Sequence, residues 1–537
     1  MRAVHLLAAM PLAAAVAGIL YLAAVPARAL RRVASAWCVL SLPAAAVLAY
    51  RAWDRHVGPE TFALWRLELT PEKMAFVLPL AALSPFFVLA SRGGERAGKK
   101  ENASSAFACF SLAAVLAAAM GDHLFLVTGM CALATWCLIA AAVLRGSAAG
   151  RVLPFILPLA LSDLCLALGV LLFYLADPSR GLMLPPAPLP PEGPWAASCA
   201  LMLAAALLRL GIIPMHRWMP GVSRGGRDLL LVHVLAVHIT TGAFLLFAVA
   251  RLLFTWGGVW TWICLGTAAA SALEVSRELM RAREGWEVTG LLCSGLGAAL
   301  ALVAAPGGQA ALAAMRVGLW AGLPAVALAE LGREMRRGGG WPGVLGGASL
   351  LGVPPLAGFA WLWLAFSALA GAMAGWRGVF FIACIPLLLA QAWVMGSASL
   401  LAPPDEKCGD GEMWLGACGL AAACVAVGLF PGAFTDLLMR EYGLPLEVPV
   451  PGWAGLGASV LLLAVPAATV MALWSRGGKT REIPVRTSCG RALPLFAGGR
   501  AFRREGLPGG GKRAALAAGN LFLYAGWSAI MIYLALR

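Results

Sequence analysis

The sequence predicts an all-α polytopic membrane protein of about sixteen transmembrane helices, and three observations predict it. The 537 residues are 61% hydrophobic and only 12% charged, where an ordinary soluble chain carries about 25% charged residues. Apolar runs long enough to cross a hydrocarbon layer of ~30 Å recur along the chain. Apolar–polar alternation with a period of two is missing, and only helices or closed barrels cross lipid.

The runs place spans at 4–25, 33–50, 73–91, 104–121, 123–144, 152–176, 196–216, 229–250, 256–274, 286–305, 310–331, 343–373, 378–402, 413–431, 453–474 and 515–536. The first could pass for a signal peptide, since MRAVHLLAAMPLAAAVAGILYLAAVPARA ends in a small-x-small pattern. Its apolar run is long and basic residues follow it, so it reads as a retained span.

Loop charges orient the spans. Arg28, Arg31 and Arg32 lie in the first loop, Arg92, Arg96, Lys99 and Lys100 in the third, and Arg145 and Arg151 in the fifth. Arg217, Arg224 and Arg227 lie in the seventh, Arg277, Arg281 and Arg283 in the ninth, and Arg333, Arg336 and Arg337 in the eleventh. These odd loops share one side, which their Lys/Arg excess makes cytoplasmic, and both termini then face outward. The acidic loop thirteen, with Asp405, Glu406, Asp410 and Glu412, is an exception, and loop fifteen (475–514) is the longest basic stretch. The same rule explains the net charge of +15 without a nucleic-acid partner.

Two spans are irregular. In the seventh, LLRLGIIPMHRWMPG sets Arg209 ahead of Pro214, His216 and Trp218. Proline cannot donate to the helix ladder, so the helix should break just past Arg209. A cation beside a break at membrane depth suggests an ion path. The eighth span then carries His233 and His238. In the twelfth, SLLGVPPLAGFAWLW holds Gly352, Pro354, Pro355 and Gly358. Each break alone could be a simple kink, because Gly and Pro are commoner in membrane helices than in soluble ones. As a pair in corresponding places they fit inverted repeats, with spans four to eight and nine to thirteen as two five-helix units. The expected divisions are N-terminal helices (1–103), a first repeat (104–252), a second repeat (253–402), two further helices (403–474), a basic cytoplasmic loop (475–514) and a C-terminal helix (515–537).

At these residues the chain resembles the large antiporter-like subunits of respiratory complex I, shared with Mrp-type Na+/H+ antiporters and membrane-bound hydrogenases such as formate hydrogenlyase. IIPMHRWMPG stands where that family has Pro-Leu-His-x-Trp-Leu-Pro, and LLGVPPLAGF matches its Gly-Ile-Pro-Pro-x-x-Gly-Phe break. MGDHLFLVTG resembles its fifth-helix entry and LSDLCLALGVLLFYL its sixth helix. The resemblance runs over about 70–430, and the tail VRTSCG is similar to a short segment of the hydrogenase-associated members.

The resemblance implies proton transfer along buried charges at mid-membrane. Its seventh-helix lysine falls on Arg209, its sixth-helix aspartate on Asp163, its eighth-helix histidine on His233 with His238 a turn deeper, and its eleventh-helix lysine near Arg316. The fifth-helix glutamate falls on Ala132 and the twelfth-helix lysine on Leu362. Arginine keeps its proton where lysine can release it. The scaffold is therefore expected to be kept and the proton wire to be partly degenerate.

Bland readings stand beside these. Arg209 and Asp163 could be a path or an ion pair left from an ancestral site. His233 and His238 could relay protons or rest on a hydroxyl such as Thr240. Asp122 and His123 suggest interfacial solvation, Glu274 and Glu330 surface pairing, and Trp256, Trp260 and Trp262 an aromatic belt. No nucleotide, flavin or haem motif appears, and the 13 cysteines lack metal-site spacing, so no cofactor and no metal are expected. The function read from all this is a non-redox membrane subunit of an oxidoreductase complex driven by NADH, ferredoxin, formate or hydrogen, in the cell inner membrane. Its partners would be other membrane and peripheral subunits and lipid. The alternatives are a Mrp-type cation/proton antiporter subunit or a structural assembly platform without transport.

Overall fold

Apolar runs become helices, and glycine and proline decide where they stop. In the computed structural model the helices are α1 (Ala3–Ala23), α2 (Pro71–Ala90), α3 (Lys99–Met120), α4 (Leu124–Leu144), α5 (Ala149–Ala176), α6 (Pro194–Arg209), the short α7 (Trp218–Ser223) and α8 (Leu229–Phe247). They continue as α9 (Val259–Arg281), α10 (Gly285–Ala304), α11 (Gly308–Glu334), α12 (Trp341–Leu350), α13 (Ala357–Gly371), α14 (Gly378–Leu401) and α15 (Gly411–Leu429). The structure describes residues 3–23, 37, 60–62, 65–67, 71–90, 99–144, 149–185, 188–223, 229–282, 285–334, 341–371, 378–401, 411–431, 483–486 and 492–495. The spans expected at 33–50, 453–474 and 515–536 lie outside the described residues, Trp37 apart. Two short antiparallel hairpins, Glu60–Phe62 with Trp65–Leu67 and Ile483–Arg486 with Ala492–Leu495, accompany the helices.

Among the described residues six helices are long and apolar enough to cross a membrane: Ala103–Met120, Leu124–Leu144, Leu157–Ala176, Ala236–Leu253, Glu287–Ala304 and Ala310–Arg333. The chain is a multi-pass membrane protein. Burial separates its centre from its rim: 94% of the apolar windows of α10 and α11 is enclosed, against 33% of that of α5. On α5 the exposed leucines 157, 164, 168, 171 and 175 recur at helical spacing and form one apolar stripe, the pattern of a face turned to lipid.

Small residues let backbones meet at the centre. A Cβ on Gly297 of α10 would lie 2.0 Å from the Leu210 carbonyl oxygen, and one on Gly428 of α15 would lie 1.9 Å from that of Pro355. Gly297→Ala is therefore expected to lower stability by about 1–3 kcal/mol through overpacking. Gly266→Ala on α9, where a Cβ meets nothing within 4 Å, should be neutral or slightly stabilising. Thermal melts of the two variants in one detergent check this, and equal melting temperatures would contradict it.

Two acids differ from the sequence reading. Asp122 is buried rather than solvated at an interface, and next to it the Lys73 ammonium donates to the Gly121 carbonyl at 3.2 Å. Glu330 does not pair at the surface. It is 4% exposed, meets Arg333, and accepts from the Thr289 hydroxyl, while Arg333 donates to the Gly285 carbonyl at 2.5 Å. The closeness of α10 to α11 encloses this cluster, which hydropathy along one helix does not report. Glu274 and Arg277, by contrast, pair at the surface at 2.5 Å.

Candidate functional site

The break after Arg209 is a Schellman motif, in which a left-handed glycine closes the helix and two backbone amides fold back onto its last carbonyls. Gly211 has φ +70°, its N–H bonds the Leu208 carbonyl, and the Ile212 N–H bonds that of Leu207. Gly352, at φ +76°, does the same with Ser349, and Val353 with Ala348. The two breaks correspond residue for residue: Leu210 with Leu351, Pro214 with Pro355, and Trp218 with Phe359. Arg209 then corresponds to Leu350, so the first break alone carries a cation at this position.

The orphan backbone groups that a helix end leaves are met by side chains. The Trp218 indole donates to the Leu208 carbonyl at 2.9 Å, Ser294 of α10 to that of Gly211 at 2.6 Å, and the Ile213 N–H to the Ser271 hydroxyl at 2.8 Å. In the second break the Gly358 N–H reaches the Ser349 hydroxyl at 3.3 Å. Pro214 and Pro355 sit exposed in their turns, while Gly352, Pro354 and Gly358 are buried.

Arg209 ends α6 with no exposed surface. Its Nη2 meets the Asp163 carboxylate of α5 and donates to the Cys131 carbonyl at 3.1 Å and the Thr135 hydroxyl at 3.2 Å, both on α4. Its Nη1 lies 3.3 Å from His238 Nδ1 on α8. Four elements thus converge on one guanidinium. Arginine has five N–H donors and no acceptor, so any hydrogen bond in this contact runs from the guanidinium to the ring, while His238 Nε2 is buried with no hydrogen-bond partner among the described residues. The Trp218 ring stands edge-on to that imidazole at 5.9 Å. Thr240, the expected hydroxyl partner, donates instead to the Ala236 carbonyl four residues back.

Ala132 lies next to Cys131, whose carbonyl, with the Thr135 hydroxyl, offers Arg209 neutral acceptors on the same helix. The balancing charge comes from Asp163. Leu362 is buried and packs over the second break, where its Cδ1 would meet a Cβ on Gly352 at 2.4 Å. Arg316 is fully buried on α11, with its guanidinium carbon 5.7 Å from the Phe247 ring centre. His233 lies on α8, and its side chain is outside the described residues.

Three partners were not singled out in the sequence. Glu278 of α9 accepts from the Arg217 Nε at 2.8 Å and lies 3.2 Å from His216 Nε2, joining the turn after the break to α9. Thr135 and Gln391 are ordinary polar residues in apolar runs, with no spacing to mark them. The arrangement can hold a permanent cation in an enclosed site with one carboxylate and one imidazole beside it.

No family model and no curated protein matches the chain. Solved structures do. Against the Mrp complex from Dietzia sp. DQ12-45-1b the TM-score is 0.71 at 17% identity, covering 100% of this chain and 62% of that one. The chain thus spans less than two thirds of the length of that relative. Against the membrane-bound sulfane sulfur reductase, an archaeal respiratory membrane complex, the TM-score is 0.71 at 15% identity, covering 91% and 88%. Against respiratory complex I from Thermus thermophilus with bound NADH it is 0.65 at 18% identity, covering 81% and 97%. The property shared at such identities is the fold: this chain is built on the architecture found in the Mrp complex, the sulfane sulfur reductase and respiratory complex I.

Proposed function

We propose that the chain is an antiporter-like membrane subunit of a multisubunit oxidoreductase, taking part in proton translocation coupled to electron transfer along a partly degenerate path. The observation that carries this reading is the buried Arg209–Asp163–His238 cluster at a Schellman break, on a fold shared with respiratory membrane complexes. An intramembrane ionisable cluster is costly and marks a functional site more often than a structural one. The proposed path residues are Arg209, Asp163, His233, His238 and Arg316, and the two breaks at Pro214–Trp218 and Gly352–Gly358 serve as its hinges. In this reading the cell inner membrane holds sixteen spans, with the basic odd loops cytoplasmic and two inverted five-helix repeats at 104–252 and 253–402. The residue-for-residue correspondence of the breaks supports the repeats. The N-terminal helices 1–103, the later helices 403–474, the basic loop 475–514 and the last helix 515–537 flank them. Other membrane and peripheral subunits supply the redox chemistry.

A Mrp-type cation/proton antiporter subunit is the second reading, favoured by the match over 100% of this chain to the Mrp complex. Subunits that copurify with the native complex separate the two, dehydrogenase or hydrogenase chains supporting the first. Transport is tested in vesicles containing the complex and a trapped pH dye. Slow proton entry is expected, reduced further by His238→Ala. Robust entry abolished by either His238→Ala or Arg209→Ala would show a fully rebuilt wire, and the degenerate reading would be wrong.

A further inference from the structure

Gln391 stands near the middle of α14 and is 1% exposed. Its amide Nε2 donates to the Gly295 carbonyl of α10 at 2.7 Å. Its Oε1 is buried with no hydrogen-bond partner among the described residues. An amide oxygen enclosed without a donor is unfavourable in a protein interior and more so at membrane depth.

Gly295 follows Ser294, whose hydroxyl donates to the Gly211 carbonyl at 2.6 Å, two residues past Arg209. Two adjacent residues of α10, Ser294 and Gly295, thus bond the Arg209 break on one side and Gln391 of α14 on the other. Small size at residue 295 lets α14 approach this closely, since a Cβ there would lie 2.9 Å from the Met395 sulfur and 3.4 Å from Gln391 Nε2. The break belongs to the proposed first repeat and α14 to the second. Leu362, where the resemblance leads one to expect a lysine, brings no charge to that second half.

We propose that Gln391 is a positioning residue for lateral proton transfer between the two five-helix repeats, its Oε1 accepting a hydrogen bond from a water that carries the proton. This rests on the reading of the chain as a proton-translocating subunit. In the step this water takes a proton from a neighbouring water on the side of the Arg209 break, whose O–H bond breaks, and gives one of its own to a second neighbouring water toward the second repeat, so that it ends unchanged. The amide forms and breaks no covalent bond and holds no net charge. Its work is to fix the oxygen so that both transfers occur at hydrogen-bond distance.

The test uses the native complex in vesicles with a trapped pH dye. Gln391→Leu keeps the volume and removes the acceptor. It is expected to slow proton entry about tenfold, equivalent to ~1.4 kcal/mol in the barrier, while leaving assembly and melting temperature unchanged. If Gln391→Leu does not assemble, Gln391→Met takes its place. Gln391→Glu restores an acceptor that also exchanges protons, so it should run at least as fast as wild type. Wild-type entry that responds to His238→Ala but not to Gln391→Leu would overturn this inference alone, as would a Gln391→Glu variant as slow as Gln391→Leu. Wild-type entry no faster than in protein-free vesicles would overturn the underlying reading, and this inference with it.

Discussion

Asp163→Leu is expected to destabilise the folded chain by about 3–5 kcal/mol, the usual effect of removing one partner from a buried ion pair. Arg209 has no exposed surface and cannot shed its proton. Without Asp163 its remaining hydrogen-bond acceptors on α4 among the described residues are neutral, the Cys131 carbonyl and the Thr135 hydroxyl. These satisfy hydrogen bonds but do not offset a charge in a low dielectric. The Asp163 side chain is 19% exposed, which places the effect at the lower end, because water at that edge partly replaces the carboxylate. The Asp163→Leu/Arg209→Leu double variant removes both charges and should recover most of the loss, since apolar residues of similar volume often replace a buried pair at no cost. Melting temperature and membrane abundance of the two single variants and the double variant form the cycle. A double variant no more stable than Asp163→Leu would mean that the unpaired Arg209 charge is not what destabilises Asp163→Leu.

How much of this could be read from the residues varies with distance along the chain. The helix end at Arg209 was legible because its cause is local: Gly211 and Pro214 follow within five residues. The second break was legible for the same reason, at Gly352, Pro354 and Pro355. That the two share one Schellman geometry could also have been found, since RLGIIPM and LLGVPPL keep their glycine and second-break proline in step. The approach of Asp163 to Arg209 followed from the resemblance, not from any pattern along the chain. The neutral acceptors of α4 were not legible. Thr135 lies 74 residues from Arg209 in sequence, and a hydroxyl in an apolar run bonds its own helix in most cases. Glu330 and Asp122 were misjudged because charge at a helix end reads as solvated. Whether it is solvated depends on which helix lies across from it, and that information is carried by small residues such as Gly285 and Gly121 rather than by the acids themselves. Gln391 was missed because one amide in a long apolar run changes mean hydropathy little.

Arg209→Lys should turn a fixed charge into a proton-exchanging one, with proton entry into vesicles rising about a hundredfold, the low end of what a positioned acid or base contributes. The arginine fork now serves Asp163, Cys131, Thr135 and His238 together. An ammonium has three donors on a compact head and cannot span the same set. The contact most exposed to loss is that to His238, at 3.3 Å the longest of those with a stated length and the one made by the other fork nitrogen. With the permanent cation gone from beside it, the His238 imidazole can exchange a proton with the lysine, which can itself give one up. Two exchanging groups then stand where one permanent cation stood. The ion pair with Asp163 keeps the lysine in place, so the chain should assemble, with about 1.5–3 kcal/mol lost for a charge-assisted bond not remade. The double variant Arg209→Lys/His238→Ala separates this account from a general loosening of the bundle: a leak would persist in it, whereas transfer through the pair would fall back to the rate of His238→Ala. An Arg209→Lys variant that assembles and conducts no faster than wild type would show that the fixed charge at α6 is not what slows the path.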